Sequence, residues 1–472
     1  PSAVLAPSCR LLTIMPSRKR KSVERKTKGT GSEAVVAVDP ACTGLAAKPL
    51  QDYEKEMQLV VKKGIIPGCV SLIYHKGQVV QASAMGMADV EHGTHYSFNT
   101  YCRMYCATKP FIATALMRFI EEGRATLDDR LSDYIPEFAN CKVQIEKTQE
   151  LVTPKRPILL RHLLSHLSGI GYAPEVGEPI EDDITQAYLN LQQDVQSKKI
   201  KNLAAFAREL AKIPLCDHPG NEYIYGYSFD VLGRVLEVIG GKSLDKVLTE
   251  KVFQPLKMQD TKWSLTRSEL PRLAACYAHR GTYKKIYGSR KVKSLRPNLV
   301  RIDGELQKES HWLSGQQCSV MSGGGFMGYL YGGLVSTVLD TGKFVQMLMK
   351  KGLVNGKRFL KASSIVQMEK NRMKKGDKVN FLGNIGTYRH GTEYGMGGAA
   401  CTYWSIDRED DTAVVWFTQH VDMPEVPEMK GIHHKKADLW AMLHKAVKAT
   451  RRSQKRRLSA GAPVKKKAKI SK

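Results

Sequence analysis

Patterns of apolar and polar residues divide the chain into recognisable elements. Apolar residues at helical spacing predict a helix over Gln51–Lys63. Two runs rich in apolar and β-branched residues follow, Gly68–Tyr74 and Gln78–Ser83. Because a glycine-containing turn at positions 75–77 separates these runs, they predict a β-hairpin. A further helix is predicted from Pro110, with apolar residues at 112, 116, 119 and 120 and an end at Gly123.

The other end of the chain has a similar arrangement. Cys401–Ile406 and Thr412–Thr418 predict two strands around an acidic turn, and an amphipathic helix with apolar residues at 439, 442, 443 and 447 follows. Strands near both ends with helices between them predict an α/β (α+β) fold with a helical insertion. The predicted domain covers residues 50–450, with a sheet part at about 50–115 and 330–450 and a helical part at about 116–329. Residues 1–49 and 451–472 are predicted to be disordered basic tails.

Composition narrows the class of protein. The chain has 472 residues, 42% of them hydrophobic and 25% charged, which is typical of a globular protein. No run of about 18 apolar residues predicts a membrane-spanning helix, and residues 1–14 make a poor signal peptide. Because the chain starts with Pro1, two alternatives are open: the natural start is Met15, or the sequence is a fragment. Ten cysteines without a C-x-x-C pair favour free thiols and an intracellular location.

Positive charge is concentrated in the two tails. Arg18–Lys28 has seven basic residues and one acidic residue, and Lys445–Lys472 has twelve basic residues and no acidic one. The spacing of the basic clusters in the second tail is similar to a bipartite nuclear-localisation signal, which favours the nucleus and an import receptor as partner. The alternatives are non-specific contact with nucleic acid or an acidic membrane, and an organellar transit peptide, which leave cytoplasm or an organelle open. The sequence predicts no oligomeric state.

One pair of residues suggests covalent chemistry. Cys106 and Lys109 lie three residues apart at the start of the helix predicted from Pro110, so their side chains share one face. A nucleophile at this position gains from the helix dipole and from a cation one turn away. The spacing alone is weak evidence, because a buried cysteine before an exposed helical lysine is common.

The surrounding chain makes the pair more specific. Five segments in series resemble the β-lactamase-related serine hydrolase family: Tyr101–Phe138, Arg161–Gly169, Asp230–Gly241, Gly332–Thr337 and Tyr394–Ala400. That family includes class C β-lactamases, penicillin-binding proteins, D-amino-acid peptidases, esterases and acyltransferases. The resemblance covers positions 50–446, and cysteine stands where the family has its serine. It implies a β-lactamase/transpeptidase-like fold, with an antiparallel sheet flanked by helices and an inserted helical domain.

The resemblance also implies a set of site residues. Cys106 would be the nucleophile, Lys109 its neighbouring amine, and Tyr225 a general base and acid, with Tyr223 and Tyr227 as alternatives two residues away.

A strand would form the far wall of the cleft. The wall residues are Met396, Gly397, Gly398 and Ala399. The Ala399 and Cys106 N–H groups would bind the oxyanion. Methionine replaces the cation that the family has in this strand, which argues against anionic β-lactams and peptidoglycan peptides.

Other candidate sites give a weaker signal. His162 and His166 have the spacing of a zinc pair on a helix, and Cys102 and Cys106 lie four residues apart. The resemblance implies that the histidines pack the helical part against the site. Glycines at 323–325 are not followed by the residues of a phosphate-binding loop and are interpreted as tight turns. No cofactor and no metal site are therefore predicted.

Two functions remain open. The leading hypothesis is a hydrolase or acyltransferase that takes a small-molecule ester, thioester or amide through an acyl-enzyme at Cys106. The alternative is a catalytically inactive family member that serves as a binding or scaffold protein, with nucleic acid a candidate partner of its basic tails.

Overall fold

The computed structural model describes residues 11–14, 35–145, 148–173, 182–197, 199–287, 299–303, 333–373, 378–385 and 393–421. The strands are β1 (Leu11–Ile14), β2 (Val35–Val38), β3 (Gly68–His75), β4 (Gln78–Asp89), β5 (Thr94–His95), β6 (Cys102–Arg103), β7 (Val143–Gln144), β8 (Leu151–Val152), β9 (Tyr277–His279), β10 (Leu299–Arg301), β11 (Val335–Ser336), β12 (Leu353–Val354), β13 (Lys357–Arg358), β14 (Lys378–Asn380), β15 (Gly383–Ile385), β16 (Glu393–Gly397), β17 (Thr402–Asp407), β18 (Thr412–Phe417) and β19 (His420–Val421). The α-helices are α1 (Pro40–Thr43), α2 (Ala47–Lys62), α3 (Lys109–Glu121), α4 (Leu160–Leu164), α5 (Asp183–Gln196), α6 (Leu203–Leu210), α7 (Ser228–Gly240), α8 (Leu244–Leu248), α9 (Arg280–Tyr287), α10 (Val338–Met349) and α11 (Ala362–Glu369).

An antiparallel sheet of eight strands forms the centre of the fold. Its order is β14-β15-β16-β17-β18-β3-β4-β5, so a strand from the end of the described chain pairs with one from its beginning. The predicted hairpin is present as β3 and β4, and the two strands predicted near the other end are β17 and β18. The predicted antiparallel sheet flanked by helices is thus confirmed.

Helices cover both faces of this sheet because its strands are apolar on both sides. Cys69 and Ile73 of β3 pack on one face in a cluster with the buried side of α2. Leu72 and Tyr74 project to the opposite face and join the larger cluster that contains α3 and α10. Every residue of β3 is buried. An alternating side-chain period of two residues produces this division between the faces.

The helical part packs beside the sheet and contributes one wall of a cleft. Helix α7 is its central element, and six of its nine buried residues pack in the same cluster as α3, α6 and α8. The turn before α7 carries Tyr225, and α3 begins at Lys109. Strand β16 lies on the sheet side. The site residues therefore lie where the helical part meets the sheet.

The structure corrects some of the predicted boundaries. β1 pairs with β2, and α1 and the first turn of α2 also lie within the predicted tail 1–49. The reason is that Val35, Val38 and Leu45 are buried and pack in the two main clusters. β9 and β10 form a small sheet with β19 inside the predicted helical part. The last predicted helix and the tail 451–472 lie outside the described residues, so those predictions stay untested.

Cysteine pairing also differs from the prediction. Seven of the described cysteines are free thiols, Cys106 among them. Cys42, however, is disulfide-bonded, contrary to the expectation that all thiols are free.

No described helix is both long enough and apolar enough to span a membrane.

Candidate active site

The backbone around Cys106 is held from two directions. Strand β6 pairs with β11, and the Met104 N–H donates to the Leu334 carbonyl at 2.7 Å. The Arg103 N–H donates to the side-chain oxygen of Gln419 at 2.9 Å. Tyr105, directly before Cys106, adopts a left-handed backbone with φ of +46°. Because this conformation is unfavourable for a tyrosine, the surrounding contacts must hold the segment in place, as is common at functional sites.

Cys106 occupies a short 3₁₀ turn, Tyr105–Thr108, immediately before α3. Its side chain is 6% exposed, and Lys109 at the start of α3 is 1% exposed. The Cys106 thiol lies beside the Lys109 amine and interacts with it. Burial lowers the pKa of Lys109, while the nearby Cys106 and the buried Asp230 carboxylate oppose that change. A lysine whose pKa is lowered is a better proton acceptor near neutral pH.

Tyr225 completes a chain of three hydrogen-bonding groups. The Lys109 Nζ donates to the Tyr225 hydroxyl at 2.7 Å, and the same nitrogen lies 4.7 Å from the centre of the Tyr225 ring. Of the three tyrosines considered from the sequence, Tyr223 lines the cleft and Tyr227 is 1% exposed among core side chains. The geometry therefore favours Tyr225 as the partner of Lys109.

His166 lies in the cleft and stacks on Tyr225, with ring centres 4.5 Å apart. Its backbone φ is +54°, so a second residue of the site has an unfavourable conformation. Neither ring nitrogen has a hydrogen-bond partner within the described parts of the chain. Burial, and next the charge of Lys109, lower the pKa of His166 well below its ordinary value. A neutral His166 therefore avoids placing a second positive charge beside Lys109.

The far wall is the end of β16 and the turn after it. Met396 lines the cleft opposite Lys109, and Gly397 and Gly398 continue along the strand end. A side-chain carbon at Gly398 would lie 2.3 Å from the Met104 carbonyl oxygen, so the wall contacts the backbone that carries Cys106. Ala399 packs against the cluster that contains Tyr105. These contacts place the wall against the backbone and side chains that directly precede Cys106.

The cleft beside Lys109 is narrow. Its volume is about 20 Å³, which is room for about one water molecule. Besides Lys109 and the aromatic residues, it is lined mostly by apolar residues, among them Leu164, Val379 and Leu382, and by the polar Ser165 and Asn380. Such walls exclude bulk water and suit a small apolar acyl group.

Comparison with known families identifies the fold family. The family model described as Beta-lactamase matches residues 53–437. The chain belongs to the β-lactamase family. The segments that resemble this family in the sequence all lie within the matched range.

Three proteins similar to this β-lactamase-family chain carry the names of enzymes. "Esterase EstB" of Burkholderia gladioli is 29% identical over 225 residues, which are 48% of this chain and 54% of EstB. The solved structure of "EstCE1, a hydrolase with promiscuous acyltransferase activity" has a TM-score of 0.62 at 24% identity and covers 83% of this chain and 97% of its own. Simvastatin synthase (LovD) from Aspergillus terreus has a TM-score of 0.64 at 19% identity, with 84% and 99% covered. The two solved structures are similar in fold.

Of the residues expected at the site, Lys109, Tyr225 and Met396 line the cleft, and reasoning from the sequence does not identify some of the other lining residues. Phe381 and Leu382 follow a short edge strand and carried no motif signal. His166 was considered only as a zinc candidate or as packing, whereas it lies against Tyr225. In the described ranges no group of three or more His, Cys, Asp or Glu side chains could hold a metal ion.

Proposed function

We propose that this β-lactamase-family protein is a hydrolase or acyltransferase that forms an acyl-enzyme at Cys106. The observation that carries the proposal is the continuous contact from the Cys106 thiol to Lys109 and from Lys109 to the Tyr225 hydroxyl at 2.7 Å. A nucleophile, a base with a lowered pKa and a second proton carrier are the groups that acyl transfer requires.

In the proposed reaction, Lys109 takes the proton of the Cys106 thiol as the sulfur attacks the substrate carbonyl. The carbonyl oxygen gains the negative charge and is stabilised by the Cys106 and Ala399 N–H groups. The bond to the leaving group then breaks, and the leaving group receives a proton from Lys109 through the Tyr225 hydroxyl. A water molecule or another acceptor attacks the thioester, and the sulfur leaves as a thiol.

The proposed substrate is a neutral ester, thioester or amide with a small acyl group. Met396 cannot pair with a substrate carboxylate, and the apolar cleft favours an uncharged acyl chain. EstB and EstCE1, whose names describe ester hydrolysis or acyl transfer, support this class of reaction.

The test is turnover of short-chain p-nitrophenyl esters and aryl thioesters. Cys106→Ala should reduce turnover to the level of denatured protein, because the nucleophile is lost. Cys141→Ser is the matched control, since Cys141 is a partly exposed free thiol away from the cleft and should not affect the rate. Equal turnover by the Cys106→Ala variant and the wild type would refute the proposed function.

A further inference from the structure

A second and larger cavity borders Tyr225. Its volume is about 400 Å³, within the range of small-molecule pockets, whereas the cleft beside Lys109 holds about 20 Å³. Tyr225 is the one described residue that lines both spaces. We name this second cavity the Tyr225 side pocket; through Tyr225 it adjoins the cleft, and it has room for the larger group of a substrate.

The walls of the Tyr225 side pocket are aromatic and polar. Tyr172 and Tyr188 contribute rings, and Tyr172 meets Tyr225 edge-on, with ring centres 6.1 Å apart at 83°. Asp182 contributes a carboxylate whose Oδ1 accepts a hydrogen bond from the Thr185 N–H at 2.7 Å. That bond fixes the carboxylate at the start of α5.

The charge of this lining is one-sided. Asp182 is the one charged side chain among the described residues that line the pocket, which include no lysine or arginine. Lys109 donates to the Tyr225 hydroxyl and His166 stacks on the Tyr225 ring, so the neighbouring Tyr172 ring is the one that we assign to a ligand. Aromatic faces with a carboxylate and without a cation attract ammonium groups and repel carboxylates.

We propose that the Tyr225 side pocket binds a leaving group that carries an ammonium, so the preferred substrate is an acyl ester of a cationic alcohol. This inference rests on the proposed function and names its substrate class. Tyr225, whose hydroxyl would return the proton to the leaving oxygen, lines the same pocket. The ammonium would contact the Tyr172 ring and face Asp182, with the acyl group in the narrow cleft.

Matched substrates measure this preference. Acetylcholine and 3,3-dimethylbutyl acetate have the same shape and differ in charge, and the acetate ester of 3-hydroxypropionate is anionic. Product formation followed by proton NMR avoids thiol reagents that would modify Cys106. We expect kcat/KM for acetylcholine to exceed that for the neutral ester about 10-fold, and the anionic ester to be slowest. Equal rates for the charged and neutral esters, or a preference for the anion, would overturn the inference while leaving the acyl-enzyme intact.

Two pairs of variants locate the effect. Asp182→Asn keeps an N-cap oxygen but removes the charge, and should lower the preference about 3-fold because the carboxylate is exposed and screened. Asp183→Asn removes the same charge at the neighbouring position, which does not line the pocket, and should leave the preference unchanged. Tyr172→Leu should reduce the preference, whereas Tyr172→Phe should retain it because the ring persists. Equal effects of the two aspartate variants would contradict the assignment.

Binding of choline separates this inference from the proposed function. Saturation-transfer NMR on the Cys106→Ala protein should detect choline, with a weaker signal after Asp182→Asn is added. If no ester is turned over but choline binds in this way, the acyl-enzyme proposal fails and the ammonium site stands. If choline does not bind, the ammonium site is wrong whatever the catalytic result.

Discussion

The most informative single change is Tyr225→Phe, which removes one hydroxyl and keeps the ring. The lost group accepts a 2.7 Å hydrogen bond from Lys109. A hydrogen bond to a charged partner contributes about 1.5–3 kcal/mol, and a lost general acid or base costs about 10²- to 10⁴-fold in rate. We therefore expect kcat/KM to fall about 100- to 1000-fold.

The same change should affect stability little. The ring of the substituted side chain would keep the stacking on His166, whose ring centre lies 4.5 Å from that of Tyr225. Because Tyr225 is only half-buried, we expect the free energy of unfolding to change by about 1 kcal/mol or less. Unfolding in urea, followed by circular dichroism, measures this quantity.

Two neighbouring tyrosines serve as matched controls. Tyr223→Phe removes a hydroxyl from the same cleft, and Tyr227→Phe removes one from the core before α7. Neither hydroxyl is the one that the Lys109 amine reaches at 2.7 Å. Steady-state hydrolysis of a neutral p-nitrophenyl ester should therefore decline much more for Tyr225→Phe than for either control. A Tyr225→Phe enzyme within threefold of the wild type would refute the proton-transfer role.

Three further predictions concern the wall, the base and an outlying histidine. Gly398→Ala should lower kcat/KM about 100-fold, because its new side-chain carbon would lie 2.3 Å from the Met104 carbonyl oxygen. Gly397→Ala should retain activity, because the nearest atom to its new carbon is 3.9 Å away. Equal losses would contradict the wall geometry. Burial lowers the pKa of Lys109, so the rate should increase with pH, with a midpoint below the usual lysine pKa near ~10.4. Lys109→Met should abolish this increase in a pH–rate profile. An unchanged profile would exclude Lys109 as the base. Burial, and after it the charge of Lys76, lowers the pKa of His75 to about 4. Between about pH 4 and 6.5 the unfolded protein therefore binds more protons than the folded protein. The free energy of unfolding should decline by about 2–3 kcal/mol as the pH falls through that window. His75→Asn should show a smaller decline in urea unfolding, and an equal decline would rule this out.

The local parts of the fold could be predicted from the sequence because their patterns are local. The hairpin of β3 and β4 and the pair of β17 and β18 join strands that are neighbours in the chain. The pairing of β18 with β3 joins residues more than 330 positions apart, and no periodicity encodes it. The strands near both ends of the chain predicted one domain made from both, but they did not predict which strands pair.

The candidate site divides in the same way. Cys106 and Lys109 are adjacent on one helical turn, so spacing alone placed them together. Tyr225 lies 116 residues beyond Lys109, and its choice over two nearby tyrosines needed the 2.7 Å contact. The left-handed backbones of Tyr105 and His166 could not be anticipated, because only a minority of residues of either type adopt a positive φ. The composition of the narrow cleft likewise depends on tertiary packing.

The central claim is that Cys106 forms the acyl-enzyme, and direct detection of the adduct tests it. The protein is mixed with an acetyl or butyryl thioester at neutral pH, quenched in acid within one turnover, and mapped by peptide mass spectrometry. We predict one acyl group per molecule on Cys106, absent from Lys109→Met over the same time, with the partly exposed Cys141 and Cys216 unmodified. An unmodified Cys106, or acylation spread equally over the exposed thiols, would contradict the account.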